Sequence, residues 1–234
     1  MLTLDEFAFR TDAQAREYVR EKYMKGMSDL EVDKIMSLYP DGERCICRTA
    51  ALLSSLTWFD PSDPTQGSPF NTGRRNQLSP QFKRMAALIG DMAFVAPRRY
   101  FAQSRSEEQH VYVFSMSRSS PSAFDLRSSS FNTVSERFKG LEHLGAAHSS
   151  DLVDPFSGGV MADYFIQFIT HLDPNGHSMS PRSILPWPRY SNELPSAMRF
   201  FHDDEPVSIG RDDYRKEGLN MWNRLVLGDT FVPP

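Results

Sequence analysis

Apolar residues return along this chain at three- and four-residue intervals in some stretches and crowd into short runs in others. Val32, Ile35, Met36 and Tyr39 fall at i, i+3, i+4 and i+7, the spacing that gathers side chains on one face of a helix. Ser28 stands three residues before Glu31, capping-box spacing for the start of that helix, and Pro40 closes it. Thr11 and Gln14 repeat the device ahead of a helix reading from Thr11 to Tyr23. Ser79-Pro80 is a third start signal, an N-cap serine with a proline whose missing amide costs nothing in a first turn. Phe82, Met85, Ala86, Ile89 and Ala93 then line one face. Pro97 is expected to kink or end that helix, because it lacks an amide and crowds the turn before it.

The run His110-Val111-Tyr112-Val113-Phe114 has the β propensity and length of a buried strand. Gly158-Gly159 open a further helix with Tyr164, Phe165, Phe168, Ile169 and Leu172 on the side expected to be buried, and Asp173-Pro174-Asn175-Gly176 reads as a turn. Ser196 to Phe201 and Pro206 to Ile209 read as short strands, and Tyr214 to Leu227 as a final helix. No repeat of the 20–50-residue kind is present.

The chain has 234 residues, 40% hydrophobic and 12% aromatic, enough for a packed core in one large domain or two small ones. Its formal charge is −4 and its sequence pI about 5.9, with Lys and Arg spread thinly, so nucleic acid is not an expected partner. No apolar run approaches the ~18–20 residues that span a bilayer, so no transmembrane segment is expected. Met1 to Glu6 lack the basic and apolar regions of a signal peptide. Cys45 and Cys47 are one residue apart, which makes a mutual disulfide strained, and a lone C-x-C is a poor zinc pattern. His143, His148, His171 and His177 show no helical H-x-x-x-H pair. No metal and no cofactor is expected, and Trp187 and Trp222 read as core or as walls of an acyl pocket.

Gly145-Ala146-Ala147-His148-Ser149-Ser150-Asp151 resembles the catalytic-histidine segment of type-B carboxylesterases and lipases, which are α/β-hydrolases. Other segments are similar to fungal members of that family in the same order. They are Asp63-Pro64-Thr65-Gln66-Gly67 with Asn71-Thr72-Gly73, the helix from Gln81 to Phe101, Asp163-Tyr164-Phe165-Ile166 to Asn175-Gly176, and Trp187-Pro188-Arg189-Tyr190. The resemblance runs from about Thr11 to Leu227. It implies an α/β fold class, specifically the C-terminal portion of an α/β-hydrolase, helix-rich and with only the last strands of the central sheet. It further implies a small-molecule carboxylic ester as the substrate of intact relatives, which are often secreted.

Two stretches interrupt the family-like reading, about 42–62 and about 116–135, within a partial carboxylesterase domain spanning 1–234. Both read as translated introns. Gly42-Glu43-Arg44 can encode a GTGAGC donor, Leu56-Thr57 a CTGAC branch sequence and Pro61-Ser62 an AG acceptor. Ser115-Met116-Ser117 can encode a GTATGT donor, and Thr133-Val134 a CAG acceptor. The alternative is surface-loop insertion, which is cheap because loop-closure entropy grows only logarithmically. The transcript distinguishes the two.

Within the resemblance, His148 holds the place of the general base, Asp151 that of a supporting acid behind it, and Gly145 the sharp turn of the loop. Glu6 is the nearest residue to the family's triad acid, but the Gly and Thr that follow that acid in relatives are absent, so it is not assigned. The G-x-S-x-G turn that carries the nucleophile occurs nowhere in these 234 residues. The expected product is therefore a carboxylic ester hydrolase relative without turnover. The alternative is a non-catalytic interaction module built on the truncated fold, with self-association through exposed apolar surface.

Overall fold

In a computed structural model, described for residues 8–41, 70, 77–117, 155–156, 158–175, 185–201 and 207–228, the chain divides into two compact units. One comprises Met1–Ser104 with Asp213–Pro234, the other Arg105–Asp212. The stretch 42–62, nearly all of 116–135, and the Cys45-x-Cys47 pair lie outside the described residues.

In the first unit both capping boxes form. Helix α1, Asp12–Lys22, starts at Thr11, whose hydroxyl accepts from the Gln14 amide while the Gln14 side chain accepts from the Thr11 amide. Helix α2, Asp29–Ser37, starts at Ser28 with the same reciprocal pair to Glu31. Val32, Ile35, Met36 and Tyr39 are all buried, as their spacing predicts. They join Ala15, Val19, Met85, Leu88, Leu219 and Trp222 in one core.

Helix α3, Phe82–Gly90, begins later than Ser79-Pro80 suggests. Ser79 accepts from the Phe82 amide in a turn, and Gln81 occupies the cap position without a side-chain cap bond. The Gln81 amide, which has no acceptor within the helix, donates to the Phe9 carbonyl at 3.3 Å. Nor does α3 bury a single stripe. Lys83 and Arg84 are buried beside Phe82, Met85, Leu88 and Ile89, while Ala93 is exposed. Arg84 pairs with Asp12 and donates from Nη2 at 2.7 Å to the Met36 carbonyl at the end of α2, which also accepts from the Tyr39 amide.

Pro97 does not end the helix. A π-helix, Asp91–Val95, follows α3 directly, and helix α4, Ala96–Arg105, carries Pro97 at its second position. The last helix of the unit, α6 (Lys216–Leu227), lies where Tyr214 to Leu227 was expected. Its Gly218 packs on the Tyr39 phenol, so that a Cβ there would stand 3.0 Å from the hydroxyl oxygen and 3.2 Å from the ring carbon bearing it. Gly218→Ala sets a helix-propensity gain of about 1 kcal/mol against overpacking of about 1–3 kcal/mol. Tyr39 is hydrogen-bonded to Asp91 and Trp222 and cannot yield freely, so the melting temperature should fall rather than rise.

The second unit contains a three-stranded sheet ordered β1-β2-β3, built from β1 (Phe114–Ser117), β2 (Ser196–Phe201) and β3 (Val207–Arg211). β1 and β2 are parallel, with Phe114 opposite Met198, and β2 and β3 are antiparallel, with Met198 opposite Ile209. A parallel pair needs a crossover connection, and helix α5 (Val160–His171) lies in it. The strand expected over His110–Phe114 is displaced toward the C-terminus. Val111 and Val113 still accept from the Tyr190 and Met198 amides, but ladder pairing begins at Phe114. β1 also runs through Met116 and Ser117, past the point where the family-like reading breaks.

Helix α5 corrects one expectation. Met161 and Tyr164 are buried, whereas Ile169 and Leu172 are 74% and 71% exposed and Phe168 is part-exposed. The buried side chains near the helix start pack with Trp187, Met198 and Phe200, and the helix's last residues lie outside that cluster.

Candidate functional site

The residues that the sequence singles out for catalysis, Gly145, His148 and Asp151, lie outside the described residues, as do Glu6, His143 and His177. Two described elements bracket the histidine segment in sequence. β1 ends at Ser117 before it, and α5 begins at Val160 after it. Gly158 and Gly159 lead into α5 with φ of 83° and 98°, values that require glycine. His171, at the end of α5, is exposed, and its Nδ1 lies 2.7 Å from the neighbouring Thr170 hydroxyl.

Between these elements the Trp187-Pro188-Arg189-Tyr190 segment is held from three directions. The Asn175 side chain completes a two-bond pairing with the Trp187 backbone, donating to its carbonyl at 2.9 Å and accepting from its amide at 2.6 Å. The Trp187 indole N–H donates to the Val113 carbonyl at 3.1 Å. The Tyr190 amide donates to Val111 at 2.8 Å, and the Tyr164 hydroxyl donates to the Leu185 carbonyl. Around the indole ring stand Tyr112, Phe114, Tyr164, Phe165 and Phe200, with centroids 5.5–6.4 Å away and mostly edge-to-face. The two segments that the resemblance picked out separately, Asn175 and Trp187 to Tyr190, therefore meet in space.

No family model matches the chain. Individual proteins do. It is 30% identical over 226 residues to Lipase 4 of Diutina rugosa, a match covering 94% of this chain and 33% of that lipase. It is 28% identical over 198 residues to Lipase 2 of Geotrichum candidum, covering 82% of this chain and 27% of the lipase. Against Secreted lipase 1 of Botryotinia fuckeliana (strain B05.10) it is 32% identical over 149 residues, with 61% and 23% covered. The chain is a homologue of the fungal lipases. It spans between about a quarter and a third of the length of the lipases it matches. Lipase relatives imply an α/β-hydrolase fold, and the helix-rich chain with its small mixed sheet is compatible with one.

In this lipase homologue the Trp187 frame is built mainly from hydrogen bonds to backbone groups and from ring contacts. Tyr112 donates to Asp173 at 3.4 Å, and both burial and the Asp173 charge raise its hydroxyl above the usual tyrosine range. Tyr164 is raised by burial. Both hydroxyls stay protonated at neutral pH and act as donors. Trp187 is buried, in accord with a core or pocket-wall role. Among the described residues no group of three His, Cys, Asp or Glu is placed to hold a metal, and no helix is long and apolar enough to cross a membrane.

A second polar cluster lies in the other unit of the homologue, and nothing local in the sequence signals it. Asp91 and Arg215, 124 residues apart, form a buried bidentate ion pair with both bonds at 2.7 Å. Tyr39 donates to Asp91 at 3.1 Å and accepts from the Trp222 indole at 3.1 Å. The Arg215 guanidinium also lies 4.7 Å from the Tyr214 ring centre and 5.8 Å from that of Phe70. Burial is the main cause that raises the Tyr39 hydroxyl far above its ordinary value, and the Asp91 charge adds to it. The linkage follows from that direction. Above about pH 10 the unfolded tyrosine loses its proton while the folded one keeps it, so the unfolded state binds fewer protons and stability falls with pH. Tyr39 should remove up to about 1.4 kcal/mol per pH unit above roughly pH 10. Tyr39→Phe should flatten that alkaline slope in urea titrations at pH 9 to 11.

Proposed function

We propose that these residues form the C-terminal, histidine-bearing part of a type-B carboxylesterase/lipase domain, and that the 234-residue polypeptide alone does not hydrolyse esters. The observation carrying this reading is the Asn175–Trp187 pairing, which joins two separately family-like segments into one frame just after α5. The match to fungal lipases over 94% of the chain supports it.

In this reading the substrate of an intact relative is a carboxylic ester. His148 takes the proton of a serine hydroxyl as it attacks the ester carbonyl, then returns it to the departing alcohol, and a carboxylate orients the imidazole and stabilises its charged form. Gly145 turns the loop that presents His148, and Asp151 supports it from behind. The nucleophile of such an enzyme sits in a G-x-S-x-G turn, and the amide following that serine forms part of the oxyanion hole. Neither is encoded in this sequence. Without them the imidazole has no serine to activate and the tetrahedral intermediate no donors.

The purified polypeptide should hydrolyse short p-nitrophenyl esters no faster than free imidazole at equal concentration, and His148→Ala should leave the rate unchanged. Turnover that His148→Ala abolishes and an organophosphate serine probe blocks would refute the reading.

A further inference from the structure

The long helix from Phe82 to Arg105 changes hydrogen-bond register once, in the π-helix Asp91–Val95. The groups that α6 and its approach use to grip the helix converge on that turn. Arg215 takes the carboxylate of Asp91, the first residue of the π segment. Asn223 donates from Nδ2 at 3.2 Å to the carbonyl of Ala96, the residue whose amide closes the i→i−5 bond on Asp91. One turn further on, Arg99 donates to the Tyr214 carbonyl at 2.7 Å and stacks 4.9 Å from the Tyr214 ring centre.

Geometry ties the grip to the register. At 3.6 residues per turn, positions 91 and 96 of a uniform α-helix would face about 140° apart, too far for one neighbouring helix to hold both. The i→i−5 bond brings Ala96 back over Asp91 and places both toward α6. Arg215 reaches Asp91 from a left-handed backbone, φ 48° and ψ 37°, which a non-glycine residue keeps only where its surroundings fix it. A local cause competes. Pro97 lacks an amide and crowds the Ala93 carbonyl, which could open the turn with no help from α6.

We propose that α6 is a register clamp. Its docking groups, rather than Pro97, hold Asp91–Val95 in the π register. Releasing them lets the helix relax to continuous α and turns α4 about its axis by one residue's step, ~100°. Arg99 is buried and Phe101 is 58% exposed, so such a turn changes which face of α4 is presented. The docking of the C-terminal helix is thereby coupled to the surface of a helix more than a hundred residues upstream in the chain.

The test compares Arg215→Met, Asn223→Ala and Pro97→Ala in the full chain, with the backbone partner of the Ala96 amide read from crystal structures or from NMR couplings across hydrogen bonds. Pro97→Ala should keep the Ala96-to-Asp91 bond, and Arg215→Met should move the Ala96 amide to an i→i−4 partner. A π turn that survives Arg215→Met, or that disappears in Pro97→Ala, overturns the proposal. Should Arg215→Met fail to fold, Asn223→Ala decides, because it removes one neutral hydrogen bond. Its Ala96 amide should exchange with solvent about five- to tenfold faster while that of Leu88 is unaffected. Unchanged exchange at Ala96 overturns the clamp.

Discussion

Asp91→Ala should destabilise the protein by about 3–5 kcal/mol, because it strands the Arg215 guanidinium in the core without its counter-charge. Both side chains are almost fully buried, at 2% and 1% exposure, so water cannot take over the missing carboxylate. The Tyr39 hydroxyl loses its acceptor in the same step. Replacing both members by apolar residues of similar volume, Asp91→Leu with Arg215→Met, removes the stranded charge and should recover most of the loss. Urea unfolding of Asp91→Ala and of the Asp91→Leu, Arg215→Met double variant measures this directly. A cost below about 1 kcal/mol for Asp91→Ala, the range of an exposed pair, would mean that the ion pair is not sealed from solvent.

Trp187→Ala should have an effect of comparable size, about 3–5 kcal/mol, in the other unit. The indole is the common neighbour of five aromatic rings, so truncation opens a cavity that none of them can fill without leaving its own contacts. It also leaves the Val113 carbonyl without its indole donor, at a further cost of about 1 kcal/mol. The bonds from Asn175 go to the backbone of residue 187 and survive the substitution, so the loss is assignable to the ring. Trp187→Phe keeps an aromatic ring and forfeits the N–H, and should cost clearly less. Hydrogen exchange at the Met198 amide, which bonds Val113, follows the event without relying on tryptophan fluorescence. Equal losses for the alanine and phenylalanine variants would show that the hydrogen bond, and not the packing, dominates.

These two sites differ in how far the sequence revealed them. Trp187 and Asn175 each stand in a family-like segment and could be flagged from the chain alone, although nothing in the sequence shows that the Asn175 side chain clamps the Trp187 backbone. Asp91 and Arg215 carried no flag. Each lies in a helical stretch where a charged residue is ordinary, and only the fold brings them within 2.7 Å.

What the sequence determined by itself is local. Thr11 with Gln14 and Ser28 with Glu31 specify two helix starts because each pair satisfies its own orphan amides within one turn. The span Ser196–Phe201 and the final helix follow from short-range propensity and periodicity in the same way. The tertiary structure decided whatever depended on a distant partner. Phe9 supplies the acceptor for the Gln81 amide at the start of α3, and the long helix passes Pro97 through a π turn contacted by Arg215 and Asn223. The fold leaves Ile169 and Leu172 outside the core, although their spacing matches that of buried residues. Periodicity fixes which side chains share a face, but how far that face is covered depends on the length and placement of the element opposite.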